Sequence, residues 1–261
     1  MLRSIKKLIK SSLKKAGWVI IQDKVWNEIF YGIPKDYDKA HTDTYNKVKE
    51  YTMSASQRVV ALCSAVDYLV SNKIEGDIVE CGVWRGGNIM AAIDTLMKNK
   101  STERDIYLYD TFEGMPTPGE YDIKTGGASG LGKSAKEIYE NAAPGDFVLC
   151  CSSLEEVKQN IESLNYPAEK IHYLKGVVEE TIPNIIPSKI ALLRLDICLY
   201  EPVLHILKHL YANLVPGGII IISDYGDWGG TRKAVDEFIE TNKIRLLLNR
   251  IDSAGRIGVK A

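Results

Sequence analysis

From residue 76 onward, hydrophobic positions form short strand-like runs that alternate with stretches at helical spacing. The strand-like runs cover 78–81, 106–110, 147–150, 171–174, 190–196 and 217–224. Helical spacing covers about 87–98, 202–213 and 231–241, and further helices are predicted to begin at Ser134 and Ser153. The segments 244–249 and 255–259 predict a closing pair of strands. This alternation predicts an α/β fold, in which helices cover both faces of a mostly parallel sheet.

The first part of the chain has a different pattern. Apolar residues at 2, 5, 8, 9 and 13 share one face of a predicted helix over 2–15, and lysines and an arginine share the other. This helix is either an arm packed on protein or a segment lying on an anionic membrane surface; the absence of an aromatic anchor favours the arm. We expect residues 1–50 to form a helical extension and residues 51–261 the main domain. Within that domain, Ser54-Ala-Ser-Gln57 is interpreted as a capping box that opens a helix ending near Asn72.

Composition narrows the class of protein. The 261 residues are 45% hydrophobic, enough for a full core, and the net charge of −1 gives no general attraction to nucleic acid. No apolar run approaches the roughly 18 residues that span a bilayer, so no stable membrane insertion is expected. The five cysteines are odd in number and form no CxxC pair, which favours reduced thiols and a cytoplasmic location.

The strongest local motif is the stretch Asp77-Ile-Val-Glu-Cys-Gly-Val-Trp-Arg-Gly-Gly-Asn88. It predicts a strand, a tight turn and a helix N-terminus, where glycines let a ligand approach the backbone. A dinucleotide site would have the pattern Gly-x-Gly-x-x-Gly. Here an acid, Glu80, ends the strand, which suits a ligand with an ammonium group and repels a pyrophosphate. Asp110 ends the next strand and can accept ribose hydroxyls. Together these two acids predict S-adenosylmethionine.

Acidic residues also end two later strands, at Asp196 and Asp224. In parallel sheets, ligands bind beyond the carboxyl ends of the strands. We therefore expect all four acids to gather around one site.

Several motifs together resemble the macrocin O-methyltransferase (TylF-like) family of S-adenosylmethionine-dependent sugar O-methyltransferases. The resemblance runs from about Tyr51 to Phe238. The motifs that carry it are Tyr51-Thr-Met-Ser54, Glu80-Cys-Gly-Val-Trp-Arg-Gly-Gly87, Tyr109-Asp-Thr-Phe-Glu-Gly-Met-Pro116, Leu193-Arg-Leu-Asp196 with Tyr200-Glu201, Leu214-x-Pro-Gly-Gly218, and Asp224-Tyr-Gly226 with Arg232-Lys-Ala-Val-Asp236.

The resemblance implies a class I methyltransferase (Rossmann-like) fold with a seven-stranded sheet that is antiparallel at its C-terminal edge. It also implies a lid loop over 113–133 and a sugar or nucleotide-sugar acceptor. We further expect a homo-oligomer. The donor contacts that it implies are Glu80, Gly82, Asn88, Asp110 and Phe112, with Tyr51 and Met53 as a cover and Ser152 beside the adenine.

The chain departs from this family at the catalytic end. Family members usually read Leu-Arg-x-Asp-x-Asp-x-Tyr-Glu-Ser and later Asp-Asp-Tyr, which supply Mg²⁺ ligands and a general base. Here Cys198 stands at the base position and Ser223 at one ligand position. Either the enzyme works without a tightly held metal, or Asp227 rebuilds the metal site. We expect Asp196 and Asp224 to be the catalytic acids and, with Ser223, the candidate ligands for Mg²⁺.

Several other residues, and the function itself, allow more than one interpretation from the sequence. His205 and His209 are four apart on a predicted helix and are interpreted as packing or surface residues. Trp84 and Trp228 either pack in the core or stack on an acceptor sugar, and Lys133 is a solvated charge or a phosphate contact. Besides sugar methylation, the sequence allows a methyltransferase for a phosphate or an amine, or a donor-binding protein that has lost catalysis.

Overall fold

The computed structural model describes residues 12–15, 17, 33–127, 130–143 and 145–261. The chain divides into two compact units, residues 1–37 and 38–261. In the first unit, residues 12–15 are helical, and the rest of the helix predicted over 2–15 lies outside the described residues. The second unit carries the sheet. In the described part of the chain, no helix is both long and apolar enough to cross a bilayer.

A seven-stranded sheet forms the centre of the second unit, in the order β3-β2-β1-β4-β5-β7-β6. The first five strands along the chain run parallel, whereas β7 is antiparallel to both β5 and β6. The prediction of a mostly parallel sheet with an antiparallel C-terminal edge is confirmed. The strands are β1 (Asp77–Cys81), β2 (Ile106–Asp110), β3 (Ile171–Lys175), β4 (Ile190–Leu195), β5 (Leu214–Ile222), β6 (Asn249–Arg250) and β7 (Arg256–Val259).

Helices cover both faces of this sheet, as predicted. Strand β5 shows why its apolar run is continuous: Ile219 and Ile221 pack into the core on one face, and Ile220 and Ile222 into the core on the other. The helices are α1 (Lys39–Val48), α2 (Ser56–Ser71), α3 (Gly87–Lys98), α4 (Ala135–Glu140), α5 (Leu154–Glu162), α6 (Val178–Thr181), α7 (Tyr200–Leu210) and α8 (Gly229–Thr241). The predicted caps of α4 and α5 are confirmed, since the hydroxyls of Ser134 and Ser153 accept backbone N–H groups three residues later.

The strand predicted over 147–150 is wrong. Residues Phe147–Leu149 form a single 3₁₀ turn, and β3 is the strand that pairs with β2 at this edge. Val148 and Cys150 line a cavity at the carboxyl ends of the strands. The apolar run therefore forms a cavity wall, which hydrophobic pattern alone does not distinguish from a short strand.

The capping box predicted at Ser54 is also wrong. Helix α2 begins at Ser56, and its N-cap residue, Ala55, makes no side-chain capping bond. The Ser54 hydroxyl accepts a hydrogen bond from the buried guanidinium of Arg194, at 3.3 Å. A tertiary partner has thus replaced the local one.

Helix α1 lies in the second unit, although it falls within the segment 1–50 assigned to an extension. Asp94 of α3 holds it in place by accepting hydrogen bonds from Thr44 at 2.7 Å and Lys47 at 2.8 Å. Lys98 also pairs with this carboxylate at 2.9 Å. Burial alone would raise the pKa of Asp94, but these bonds outweigh it and lower the pKa to about 2.

Replacing Asp94 with Asn should therefore destabilise the protein in a pH-dependent way. A carboxylate whose pKa is lowered by folding contributes stability above its unfolded pKa and loses that contribution as the pH falls through the folded pKa. We expect a loss of roughly 2 kcal/mol in the free energy of unfolding at pH 7, and a smaller loss at pH 2.5, measured by urea denaturation. Asp43→Asn, which breaks an exposed pair with Lys39, is the matched control. Equal losses at both pH values would contradict the prediction.

Candidate active site

A cavity of about 250 Å³ opens beyond the carboxyl ends of β1, β2 and β4. Its position is the one expected for a ligand site in a sheet of this topology. The structure brings seven of the sequence-predicted residues to its wall: Tyr51, Met53, Gly82, Asn88, Asp110, Asp196 and Asp224. Four others, Glu80, Phe112, Ser152 and Ser223, are not among the lining residues.

Two glycines shape the turn between β1 and α3. Gly82 has a φ of +86°, and a Cβ at this position would collide with the carbonyl oxygen of Asp196. A Cβ on Gly87 would lie 2.5 Å from the carbonyl of Tyr51. The missing side chains allow the segment before α2 to approach the start of α3 and the end of β4 to approach the turn after β1. The motif predicted close approach of a ligand, and at these two glycines the close neighbours are segments of the chain itself.

Asp110 is fixed at the wall by the backbone. Its carboxylate accepts N–H groups from Val83 at 2.6 Å, Phe112 at 2.7 Å and Trp84 at 3.2 Å. Phe112 and Trp84 both have a positive φ, +52° and +48°, which is uncommon for large residues and typical of sites with a functional constraint. A carboxylate has about four lone-pair directions, so Asp110 can still accept from a ribose hydroxyl.

Glu80 lies one layer behind the cavity. It is 1% exposed, and its Oε1 accepts a hydrogen bond from Arg194 at 2.5 Å. Its Oε2 is buried and has no hydrogen-bond partner among the described residues. Burial raises the pKa of Glu80 to about 7 in spite of the neighbouring guanidinium. The sequence predicted direct contact with the donor, whereas the structure pairs Glu80 with Arg194.

Arg194 is a functional residue that sequence reasoning missed. Its guanidinium is buried and also contacts Asp196 at 2.8 Å and the Ser223 hydroxyl at 2.9 Å. The available signal was a lone arginine inside the apolar run of β4. Such a residue is expected to be buried with ionic partners, because an unpaired buried charge is very costly.

Asp196 and Asp224 have different surroundings although both line the cavity. The Oδ2 of Asp196 is held by Arg194 and faces the Asn88 amide at 3.5 Å. No hydrogen bond or ion pair reaches the Asp224 carboxylate from the described residues. Burial, and next the charge of Asp196, raise the pKa of Asp224 to about 7, while Arg58 and Lys124 act in the opposite direction. Asp224 therefore differs from Asp196 in having no hydrogen-bonded or ionic partner for its carboxylate among the described residues.

The residues at the catalytic end do not fit the Mg²⁺ site that the family resemblance implies. A Mg²⁺ ion lies about 2.1 Å from its oxygen ligands. On the Oδ2 of Asp196 it would come within about 5 Å of the Arg194 guanidinium, which is 2.8 Å from that oxygen. The family motif Leu-Arg-x-Asp-x-Asp carries the same arginine, so this contact alone does not exclude Mg²⁺, and the fit depends on the remaining ligands.

The other candidate ligands do not complete a metal site. The Ser223 hydroxyl is 1% exposed and contacts Arg194, and Asp227 is not among the cavity-lining residues. Cys198 is buried 3.3 Å from the Tyr139 hydroxyl, and burial raises the pKa of its thiol well above the ordinary value. Among the residues that the structure describes, no three His, Cys, Asp or Glu side chains are grouped to hold a metal ion. No step of the reaction is therefore assigned to a metal.

The structure settles several other expectations about position. His205 and His209 stack on α7 with ring centroids 4.0 Å apart, and neither lines the cavity. Trp84 and Trp228 both line it. Three charged lining residues were missed, Arg58, Lys124 and Glu179, because single charged residues in a helix or in an aperiodic loop give no distinctive pattern.

The sheet order and the cavity beside the glycine turn define an S-adenosylmethionine-dependent methyltransferase of class I. The chain matches the macrocin-O-methyltransferase (TylF) family model over residues 34–257 and belongs to that family. The resemblance and the fold stated from the sequence are thereby confirmed.

Similar proteins methylate glycosylated compounds. The chain is 29% identical over 205 residues to the 8-demethyl-8-(2,3-dimethoxy-alpha-L-rhamnosyl)-tetracenomycin-C 4'-O-methyltransferase of Streptomyces olivaceus, covering 78% of this chain and 74% of that protein. It is 31% identical over 188 residues to the demethyldecarbamoylnovobiocin O-methyltransferase of Streptomyces niveus, covering 72% and 67%. The solved structure of the O-methyltransferase NovP is similar at 29% identity with a TM-score of 0.69, covering 81% of this chain and 82% of that one.

Replacing Gly82 with Ala should weaken donor binding, because the new methyl group would force the ends of β1 and β4 apart. We expect the Kd for S-adenosylhomocysteine to rise at least about tenfold, equivalent to roughly 1.4 kcal/mol, by isothermal titration calorimetry. Gly132→Ala is the matched control: Gly132 has a similar φ of +81°, but no atom lies within 4 Å of the added Cβ. The same affinity in both variants would show that the close contact at Gly82 does not matter.

Proposed function

We propose that the protein transfers the methyl group of S-adenosylmethionine to a hydroxyl of a sugar, in a glycosylated or nucleotide-linked acceptor. Its family membership supports methyl transfer, and the activities named for its relatives support a sugar acceptor. The observation that carries the proposal is the Asp224 carboxylate, which lines the donor cavity and has no hydrogen bond or ion pair from the described residues.

In this proposal the donor lies against the turn after β1. Asp110 accepts a ribose hydroxyl, and the backbone at Gly82 and the start of α3 form the floor. Asn88 contacts the donor, since it lines the cavity at the start of α3. Tyr51 and Met53 cover the donor. Ser152, which does not line the cavity, lies in the segment that borders the adenine.

Asp224 acts as the general base. When bound, S-adenosylmethionine supplies an electrophilic methyl group on a sulfonium. The Asp224 carboxylate takes the proton of the acceptor hydroxyl, whose oxygen forms the new C–O bond. General base catalysis typically contributes about 10²–10⁴-fold, and alignment of the reacting atoms can contribute roughly 7–11 kcal/mol.

We also propose that residues 113–133 cover the acceptor as a lid. This loop is joined to the turn after β5 by a bridge between Lys124 and Trp228, and to the start of α4 by one between Ile123 and Ser134. All five cysteines are free, which supports the expected cytoplasmic location. A homo-oligomer stays a prediction.

Replacing Asp224 with Asn should lower kcat by about 10²–10⁴-fold, with little change in the affinity for S-adenosylhomocysteine. The wild type should gain activity as the pH rises through about 7, because a base with a raised pKa is ionised only above that pH. The measurements are initial rates from pH 5.5 to 8.5, and calorimetry of donor binding. Asp236→Asn is the control, since the Asp236 carboxylate accepts a hydrogen bond from the Tyr225 hydroxyl and does not line the cavity. A full rate in Asp224→Asn would exclude this base.

An acceptor survey tests the function itself. We expect methylated product, detected by mass spectrometry, from rhamnosides or nucleotide-linked deoxysugars and none from phosphate monoesters or amines. Product from the phosphate or amine alone would establish the non-sugar alternative. Donor binding without product from any acceptor would establish a protein that has lost catalysis.

A further inference from the structure

Lys124 lines the cavity, and its ammonium group donates no hydrogen bond to a described residue. Its side chain is 19% exposed, and its Nζ lies 4.6 Å from the centroid of the Trp228 ring. Lys124 forms an ion pair with Asp227, but its Nζ lies 3.9 Å from the Asp227 Oδ2, which is beyond hydrogen-bond distance. No described residue accepts a hydrogen bond from this ammonium group, which leaves its three donors available to a ligand.

The other two cationic side chains of the site, Arg194 and Arg58, already have carboxylate partners within hydrogen-bond distance. Arg194 contacts Glu80 and Asp196. Arg58, although it lines the cavity, pairs with Asp252 at 2.7 Å. Of these three cationic side chains in the described site, Lys124 is therefore the one whose N–H groups are available to hydrogen-bond a ligand.

Backbone hydrogen bonds hold Lys124 in the same part of the site as Asp224. The Lys124 N–H donates to the carbonyl of Lys133 at 2.9 Å, and its own carbonyl accepts from Gly132 at 2.8 Å. The next residue, Thr125, donates to the Asp227 carbonyl at 2.7 Å. The 113–133 loop is thus fastened to the turn that carries Asp224. The side chains of Lys124 and Asp224 line the same cavity.

We propose that Lys124 binds the acceptor oxygen directly and that the reaction proceeds without a divalent metal. This inference rests on the proposed function and adds the residue that recognises the acceptor. The ammonium donates a hydrogen bond to the acceptor and remains protonated. Asp224 takes the hydroxyl proton, the C–O bond forms, and the C–S bond breaks to leave S-adenosylhomocysteine. An alcohol can both accept and donate a hydrogen bond. Lys124 offers it an ammonium group to accept from, and Asp224 offers it a carboxylate to donate to.

The metal part is tested without an acceptor. Wild-type protein saturated with S-adenosylhomocysteine is titrated with Mn²⁺, and free Mn²⁺ is followed by electron paramagnetic resonance. We expect no binding below millimolar concentrations. Micromolar Mn²⁺ binding would overturn the metal-free reaction, as would loss of turnover in EDTA that Mg²⁺ restores.

The role of Lys124 is tested with three variants on whichever acceptor the survey identifies. We expect Lys124→Met to lower kcat/KM for the acceptor about 100-fold without changing the Kd for S-adenosylhomocysteine, and Lys124→Arg to retain at least about a tenth of the activity, since it keeps the charge and the donors. Lys136→Met is the matched control, because Lys136 is exposed on α4, where it pairs with Glu140. Circular dichroism verifies folding.

The outcomes separate this inference from the proposed function. Lys124→Met as active as Lys136→Met would overturn the role of Lys124 while leaving sugar methylation intact. If the acceptor is not a sugar, the proposed function fails and the same variants still decide the role of Lys124. If no acceptor is methylated, the role of Lys124 fails together with the proposed function.

Discussion

The buried guanidinium of Arg194 is the interaction on which the arrangement of the site depends. It contacts Glu80 at the end of β1, Asp196 after β4, Ser223 after β5 and Ser54 before α2. A buried charge is tolerated only when it is paired and hydrogen-bonded, so these four segments must come together around it. The Arg194 side chain thus fixes the spacing of three adjacent strand ends. These strand ends form the floor of the cavity.

This network also divides the acids into two kinds. Glu80 and Asp196 both contact the Arg194 guanidinium, which fixes their positions. Asp224 remains outside the network and retains the freedom that proton transfer requires. Cys198 and Ser223 stand where the family resemblance implies acids, so this site has fewer carboxylates than the family motifs would supply.

The sequence was sufficient for most of the fold, because the strands are nearly continuous apolar runs and the glycine turn has one obvious geometry. It also placed Gly82, Asn88 and Asp110 at the cavity correctly. It failed where a residue's partner is distant along the chain. Ser54 resembles a helix cap and binds Arg194 instead, 140 positions away. The run 147–150 has the pattern of a strand and forms a cavity wall, and Lys124 lies in a loop without periodicity.

The close contact between Gly87 and the Tyr51 carbonyl has a consequence for exchanging parts among members of this family. The donor wall is completed by a segment that precedes the first strand, so the ligand-binding unit does not coincide with the sheet and its crossovers. A chimaera joined at residue 76 would combine the glycine turn of one parent with the covering segment of another. Recombination points that keep both parts from a single parent lie upstream of Tyr51.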